Sequence, residues 1–444
     1  MKQYMLPFLA FFLAILSACS DFPVRAEEDT RAEKQIQAPL SVLCDTCQYP
    51  VVMIHGFLAS GDTWASFQQL FTSNGYKPKL IHAFDWNSLA QGANNSAALD
   101  AFINKILAKT GAPKVRLIGH SAGGGVAYAY LSNAVYAAKV DGYVHIASSV
   151  QPAPAGPNGS VPTLNLWSDG DKVAAGGNIA GATNVKLPGK DHYQVATTQE
   201  SFAAVWAFFH GKPPVHLTPI PEEIVCITGR VLTFGENTPA IGAKVDIYAV
   251  EAATGQRLSN QPFESLTCDS LGFWKPINVP ASTTFEFVVN TGKSGDRIIH
   301  YFREGFTHLH TLVYLRVLPP ANSFAGLLLN GLPRTSGQTV INVFSGRQAI
   351  VNPRDTLWVD GTVISTPQFA TPQKTAISFF LYDDGDNKTE LIPVGLFGNF
   401  SFLVGVDVFF PTTPPGTIAL RLNNRALNVR NIPSTQGIVV AAFD

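Results

Sequence analysis

The sequence predicts an α/β fold, a parallel sheet with helices on both faces, followed by all-β sandwich domains. Three observations carry this expectation. Between residues 50 and 212, short apolar runs alternate with helically spaced ones. A G-x-S-x-G pentapeptide, Gly119-His120-Ser121-Ala122-Gly123, stands where one apolar run gives way to a helix. Beyond a Pro-rich stretch at 213–221, helical patterns become scarce and alternating β-branched and aromatic runs take over.

Each element follows from its residues. Val51-Val52-Met53-Ile54 is apolar throughout and stops at His55-Gly56, as a strand buried on both faces does. Residues 79–84 give a second strand, 97–107 a helix, 115–119 a third strand and 121–136 a helix. Strands at 142–147, 163–167 and 185–187 follow, and an apolar helix at 202–209 closes the domain. The Pro-rich stretch reads as a linker. After it, Val231, Val245, Ile247, Phe285, Phe287 and Val289 sit in alternating runs between Gly, Pro and Asn turns. Pro319-Pro320 marks a second boundary. Gly229-Arg230-Val231, Val245-Asp246-Ile247-Tyr248 and Gly272-Phe273-Trp274 are echoed by Gly361-Thr362-Val363, Phe379-Phe380-Leu381-Tyr382 and Gly398-Asn399-Phe400, which predicts two related sandwiches. The expected organisation is 1–19 targeting segment, 20–40 flexible spacer, 41–213 α/β domain, 214–320 first sandwich and 321–444 second sandwich.

The 444 residues are 46% hydrophobic and 14% charged, with a net charge of −1. That balance leaves no electrostatic footprint for nucleic acid. Ten His without a dense Cys/His cluster give no reason to expect a structural zinc. At the N-terminus, Lys2 precedes an apolar run over 5–16, too short to span a bilayer comfortably. It ends in Leu16-Ser17-Ala18-Cys19, which resembles the lipobox of bacterial lipoproteins. The resemblance implies export, acylation of Cys19 and a membrane tether, with Ser20 after the Cys implying passage to the outer membrane. Ordinary secretory cleavage near Ala18 or Ala26 is the alternative. Cys44, Cys47, Cys226 and Cys268 remain, an even number that fits two disulfides in an exported chain, with the Cys44-x-x-Cys47 pair as a staple.

The pentapeptide carries the chemistry. Its glycines let a strand turn abruptly into a helix, lifting the Ser121 hydroxyl above the sheet and aiming a helix N-terminus at the reacting carbonyl. An oxyanion needs two backbone N–H groups. Ala122 offers one, and Phe57, in His55-Gly56-Phe57 after the first strand, offers the other. The serine needs a base and the base an orienting acid. His192, in the loop after the last short strand, is the expected base. His145 lies inside a strand and His210 ends a helix. Asp171, after the penultimate strand and two residues before Val173, is the expected acid, with Asp169 as the alternative. Asp191 adjoins His192, and Asp141 lies at the wrong end of the sheet.

With these motifs in place the chain resembles the bacterial and archaeal α/β-hydrolase lipases. The resemblance runs through residues 51–57, Asp85-Trp86-Asn87 and the pentapeptide. It is fuller with archaeal-type lipases, where a β-domain follows a small catalytic domain, through Val161-Pro162-Thr163-Leu164, Asn184-Val185, Gln199-Glu200-Ser201-Phe202-Ala203, Gly229-Arg230-Val231, Phe285-Glu286-Phe287 and His300-Tyr301-Phe302. One departure stands out: Ala147-Ser148-Ser149-Val150 carries no acid where an archaeal-type relative has one. The resemblance implies an α/β-hydrolase fold and a lipase or carboxylesterase acting on acylglycerols or similar lipid esters. It implies an acyl-enzyme at Ser121, no metal or organic cofactor, and a lipid role for the β-domain. A polyester depolymerase or a thioesterase would use the same elbow. A rival of another class is a surface lipoprotein whose β-domains bind glycans or proteins. The short segment 150–160 is too small for a large lid, which predicts an open site for short or medium acyl chains. Leu327-Leu328-Leu329 reads as core or as a lipid-facing edge. Oligomeric state has no signature.

Overall fold

The computed structural model describes residues 48–90 and 93–444. Among them, the N-terminal unit has strands β1 (Val51–Ile54), β2 (Ile81–Phe84), β3 (Val115–His120), β4 (Val140–Ile146), β5 (Thr163–Trp167) and β6 (Thr183–Lys186). Its helices are α1 (Ala65–Ser73), α2 (Asn95–Thr110), α3 (Ala122–Leu131), α4 (Ala134–Ala137), α5 (Gln194–Thr197) and α6 (Gln199–His210). The strands run in the order β2-β1-β3-β4-β5-β6, every neighbouring pair parallel. Phe67 and Phe71 of α1 and Phe202 and Val205 of α6 cover one face, with Val51, Met53 and Ile118. Leu99 and Ile103 of α2 and Val126 and Ala127 of α3 cover the other, with Val52, Ile54 and Leu117. Burial from both sides is the physical reason for the unbroken apolar runs. This is the α/β-hydrolase fold expected from the sequence.

The chain lays β2 on one side of β1 and β3 on the other. Open parallel sheets form their ligand sites at such a reversal, beyond the C-terminal strand ends. Here β1 runs out into His55-Gly56-Phe57 and β3 into Ser121.

Among the described residues, the rest of the chain forms sheets of three, eight and four strands. The eight-stranded sheet crosses the expected boundary at 320. Strands Lys244–Ala249, Glu264–Thr267, Phe285–Asn290 and Ile299–Arg303 lie on one side of it in sequence. Ile341–Ser345, Ser378–Tyr382 and Leu403–Asp407 lie on the other. Strand Ile438–Phe443 joins the halves, parallel to both Ile299–Arg303 and Ile341–Ser345. Both faces of this sheet are buried. Ile438 and Val440 point into a core shared with the three-stranded sheet, through Ile227, Trp274 and Leu315. Val439, Ala441 and Phe443 point into a second core with Leu357, Ile418 and Leu420 of the four-stranded sheet. The β-region is therefore three layers over two cores. The internal echo is only partly structural: its middle segments both lie in the eight-stranded sheet, but Phe273 opens a strand whereas Gly398 lies in a 3-10 turn.

The β-region is also bonded to the N-terminal unit. Arg230 and the Tyr314 hydroxyl both donate to Asp85, at 2.5 and 2.7 Å. Arg316 pairs with Asp62 at 2.6 Å. Cys226 is disulfide-bonded, but Cys268 is a free, buried thiol, which corrects the expectation of a disulfide at Cys268. It packs as a small apolar side chain in the first β-core, and burial pushes its thiol up to about 12. Cys19, Cys44 and Cys47 lie outside the described residues. No helix among the described residues is long and apolar enough to cross a membrane.

Candidate active site

Ser121 sits at the joint of β3 and α3 with φ 54° and ψ −125°. A residue with a side chain rarely adopts such angles. Three hydrogen bonds hold it there. Its N–H donates to the Ile146 carbonyl at 2.9 Å, and its carbonyl accepts from the Gly124 N–H at 2.9 Å and the Ser148 hydroxyl at 2.7 Å. The glycines of the pentapeptide make the turn possible by close approach. A Cβ on Gly119 would lie 2.8 Å from the Gly123 carbonyl oxygen, and one on Gly123 only 2.4 Å from that of His55. Gly56 faces the nucleophile itself, since a Cβ there would come within 2.9 Å of Ser121 Cβ and 3.4 Å of its Oγ.

The loop after β1 is built around His55. Its Nε2 accepts from the Trp86 N–H and the Asn237 side-chain amide, both at 3.2 Å, which leaves Nδ1–H to donate to the Gly56 carbonyl at 2.8 Å. Burial lowers its pKa, so it is a neutral brace. Phe57 and Leu58 form the turn that follows, with Leu58 at φ 57° and its N–H tied to Ser88 Oγ. Phe57 stands 40% exposed at the rim. Ala122 is the first residue of α3, where backbone N–H groups have no partner inside the helix.

The structure brings His192 and Asp171 together. His192 Nδ1 lies 2.7 Å from Asp171 Oδ2, with both side chains about 1% exposed. The second Asp171 oxygen accepts from the N–H groups of Val173 and Ala174, at 2.8 and 3.0 Å. Burial alone would raise the Asp171 pKa. The His192 hydrogen bond and charge, with those two amides, outweigh it and hold the carboxyl below its ordinary value. An ionised Asp171 makes Nδ1 the protonated nitrogen and leaves the Nε2 lone pair free. His120 supports the same loop, its Nε2 donating to the His192 carbonyl at 3.0 Å.

The other candidates have different partners. Asp169 pairs with Lys186 at 2.8 Å and accepts from the Gly189 N–H. Asp191 pairs with Arg354 at 2.7 Å. Asp141 meets Arg116, and His145 lies buried between the Tyr143 hydroxyl and the Ser149 carbonyl. Three carboxylates, Asp383, Asp384 and Asp407, come close enough to share a cation, but Asp383 and Asp407 already accept backbone N–H groups from Gly385, Lys388, Asp384 and Glu390.

Sequence reasoning missed four contributors. Ser148 holds the elbow, Asn237 reaches across from the β-region to His55, and Phe402 and Arg354 come from the last third of the chain. Phe402 stacks on the His192 ring, with centroids 6.0 Å apart and planes 19° apart. Phe402 also lines a mostly apolar cleft, with Leu58, Tyr193, Phe234, Ile299 and Phe380. In the run Leu327-Leu328-Leu329, Leu328 and Leu329 are buried in the core while Leu327 is 60% exposed, on the short helix Phe324–Leu329.

A model of the α/β hydrolase fold matches residues 49–169, a model of a lipase C-terminal domain matches 223–320, and a model of a further C-terminal domain matches 336–444. A triacylglycerol lipase of Burkholderia plantarii is 33% identical over 96 residues, covering 20% of this chain and 27% of the relative. One from Pseudarthrobacter phenanthrenivorans is 34% identical over 83 residues, covering 17% and 26%. The chain thus spans about a quarter of the length of these curated relatives. Among solved structures, the Bacillus licheniformis lipase BlEst2 aligns at 16% identity and a TM-score of 0.30, over 40% of this chain and 96% of that one. Aspergillus fumigatus lipase B aligns at 16% and 0.30, over 38% and 54%. The N-terminal unit thus has the α/β-hydrolase fold, and the first part of the β-region, residues 223–320, is similar to a lipase C-terminal domain.

Proposed function

We propose that this protein is a serine carboxylesterase of the lipase type, hydrolysing lipid esters through an acyl-enzyme at Ser121. The observation that carries the reading is the buried Asp171–His192 pair, whose imidazole packs on the ring of His120, the residue before the strained Ser121 at the reversal of a parallel sheet. Ser121 Oγ attacks the ester carbonyl as His192 Nε2 takes its proton. Asp171 keeps the imidazole in the tautomer that leaves Nε2 free and stabilises the imidazolium. The N–H groups of Phe57 and Ala122 hold the oxyanion. His192 then protonates the leaving alcohol, and water activated by the same nitrogen releases the acid. The apolar cleft beyond Phe402 favours an acyl chain over a polar substrate, as does the identity shared with triacylglycerol lipases.

Hydrolysis of p-nitrophenyl esters from acetate to palmitate, by the wild type and Ser121→Ala, tests this. Activity abolished in the variant supports the reading, and the chain-length optimum separates lipase from esterase. A folded wild type inert on every ester overturns it. For location, we propose export and acylation at Cys19, resting on Leu16-Ser17-Ala18-Cys19 and on the disulfide at Cys226, which an oxidising compartment permits. Labelled palmitate should enter the wild type and not Cys19→Ser.

A further inference from the structure

His192 and its neighbours make their unusual contacts with residues 340–405. The ring of Phe402 lies nearly parallel to the imidazole and also meets Tyr193 edge-on, at 5.8 Å. Phe402 does this from φ 74°, a conformation that a bulky side chain avoids. Its backbone is fixed there by three hydrogen bonds: its N–H donates to the Lys374 carbonyl, and its own carbonyl accepts from the Ile377 and Ser378 N–H groups. Strain so held at a candidate site motivates a functional hypothesis. Next to His192, Asp191 is anchored from the same region. It accepts from the Ala349 N–H at 3.2 Å and pairs with Arg354 at 2.7 Å, while its other oxygen caps the Tyr193 and Gln194 N–H groups at 2.9 Å. Arg354 also donates to the Gln194 side chain, and the Thr197 hydroxyl donates to the Arg347 carbonyl.

We propose that the C-terminal β-region positions the general base: Phe402 clamps the His192 imidazole through its nearly parallel ring, and Arg354 fixes its loop through Asp191. Phe402 is a positioning residue, acting through His192. It also walls the apolar cleft from the imidazole, so the two roles must be separated by experiment. The proposal rests on the esterase reading for its kinetic arm only.

Phe402→Gly suits the test, because glycine adopts φ 74° without strain and only the ring is lost. Loosening a reacting group by a fraction of an ångström to 1 Å costs up to about 100-fold in rate. On p-nitrophenyl acetate, whose acyl group is too short to need the cleft, kcat should fall about 10- to 100-fold with KM within about 3-fold, and Phe402→Tyr should restore most of it. In proton NMR, the low-field resonance of the Nδ1 proton shared with Asp171 should be sharp in the wild type and Phe402→Tyr, and broadened in Phe402→Gly. A wild-type kcat on acetate with losses confined to long acyl chains would overturn the proposal and leave Phe402 a cleft wall. An unchanged low-field proton would overturn it as well. If the wild type cleaves no ester, the esterase reading fails while the NMR arm still decides the clamp. Should Phe402→Gly not fold, Phe402→Leu, which keeps the apolar bulk but not the flat ring, carries the same comparison.

Discussion

At the scale of single residues, the site is a set of hydrogen bonds that each fix one degree of freedom. Asp171→Asn keeps the shape but can present an N–H to His192 Nδ1, favouring the wrong tautomer. Its kcat should fall by roughly 10⁴-fold with the fold intact, measured by steady-state kinetics beside circular dichroism. Gly56→Ala pushes a methyl to 2.9 Å from Ser121 Cβ. It should lower kcat by about 100-fold while changing the melting temperature little, since Gly56 needs no left-handed backbone. The sequence made Ser121, His192 and Asp171 legible because Ser121 directly follows β3 while Asp171 and His192 lie in the loops after β5 and β6, where chain order and spacing suffice. Phe402 and Arg354 were not legible. They approach His192 from more than 150 positions away, and nothing local distinguishes them from core residues.

At the scale of elements, six strands and three helices could be read from apolar runs and helical spacing, the central strands because the parallel sheet is buried there on both faces, unlike the edge strand β6. Helix α1 went unread, although Phe67, Leu70 and Phe71 are spaced as a helix requires. The helix expected at 121–136 is broken at Ser132-Asn133, where the Asn133 side chain caps the start of α4. Among the β-strands, close approach shows what composition alone hides. Gly229 lies where a Cβ would fall 1.7 Å from the Val313 carbonyl oxygen of the neighbouring parallel strand. Gly229→Ala must spread that ladder and should cost about 1–3 kcal/mol, read as a lower urea midpoint with an unchanged slope.

At the scale of the whole molecule, stability should depend on pH through buried imidazoles. Burial holds His82, His120 and His310 near 3, far below the ordinary histidine value of 6.5. Below about pH 6.5 the unfolded chain binds protons that the folded one refuses, so the stability present above that pH is lost as pH falls toward 3. The three together amount to about 4 kcal/mol between pH 7.5 and 5.5, an upper figure because the unfolded chain is not fully hydrated. Urea titrations at those two pH values should show the midpoint falling on acidification; an unchanged midpoint would mean that these rings are hydrated. That the eight-stranded sheet crosses the expected boundary at 320 was not legible in the sequence, because pairing partners across a sheet leave no local mark. The strand Ile438–Phe443 has its partners about 140 and 100 positions earlier. A chain cut after residue 335 should therefore be insoluble, with an unpaired sheet edge and two open cores, checked by sedimentation of the expressed fragment. For anyone building chimaeras, that shared strand sets the unit of exchange. A donor's C-terminal third cannot be grafted onto this host as a cassette, because the graft would have to fit the host's ladder on one side and bring its own on the other. What can be traded freely are the loops at the rim; the β-region has to travel whole, together with the histidine loop it touches.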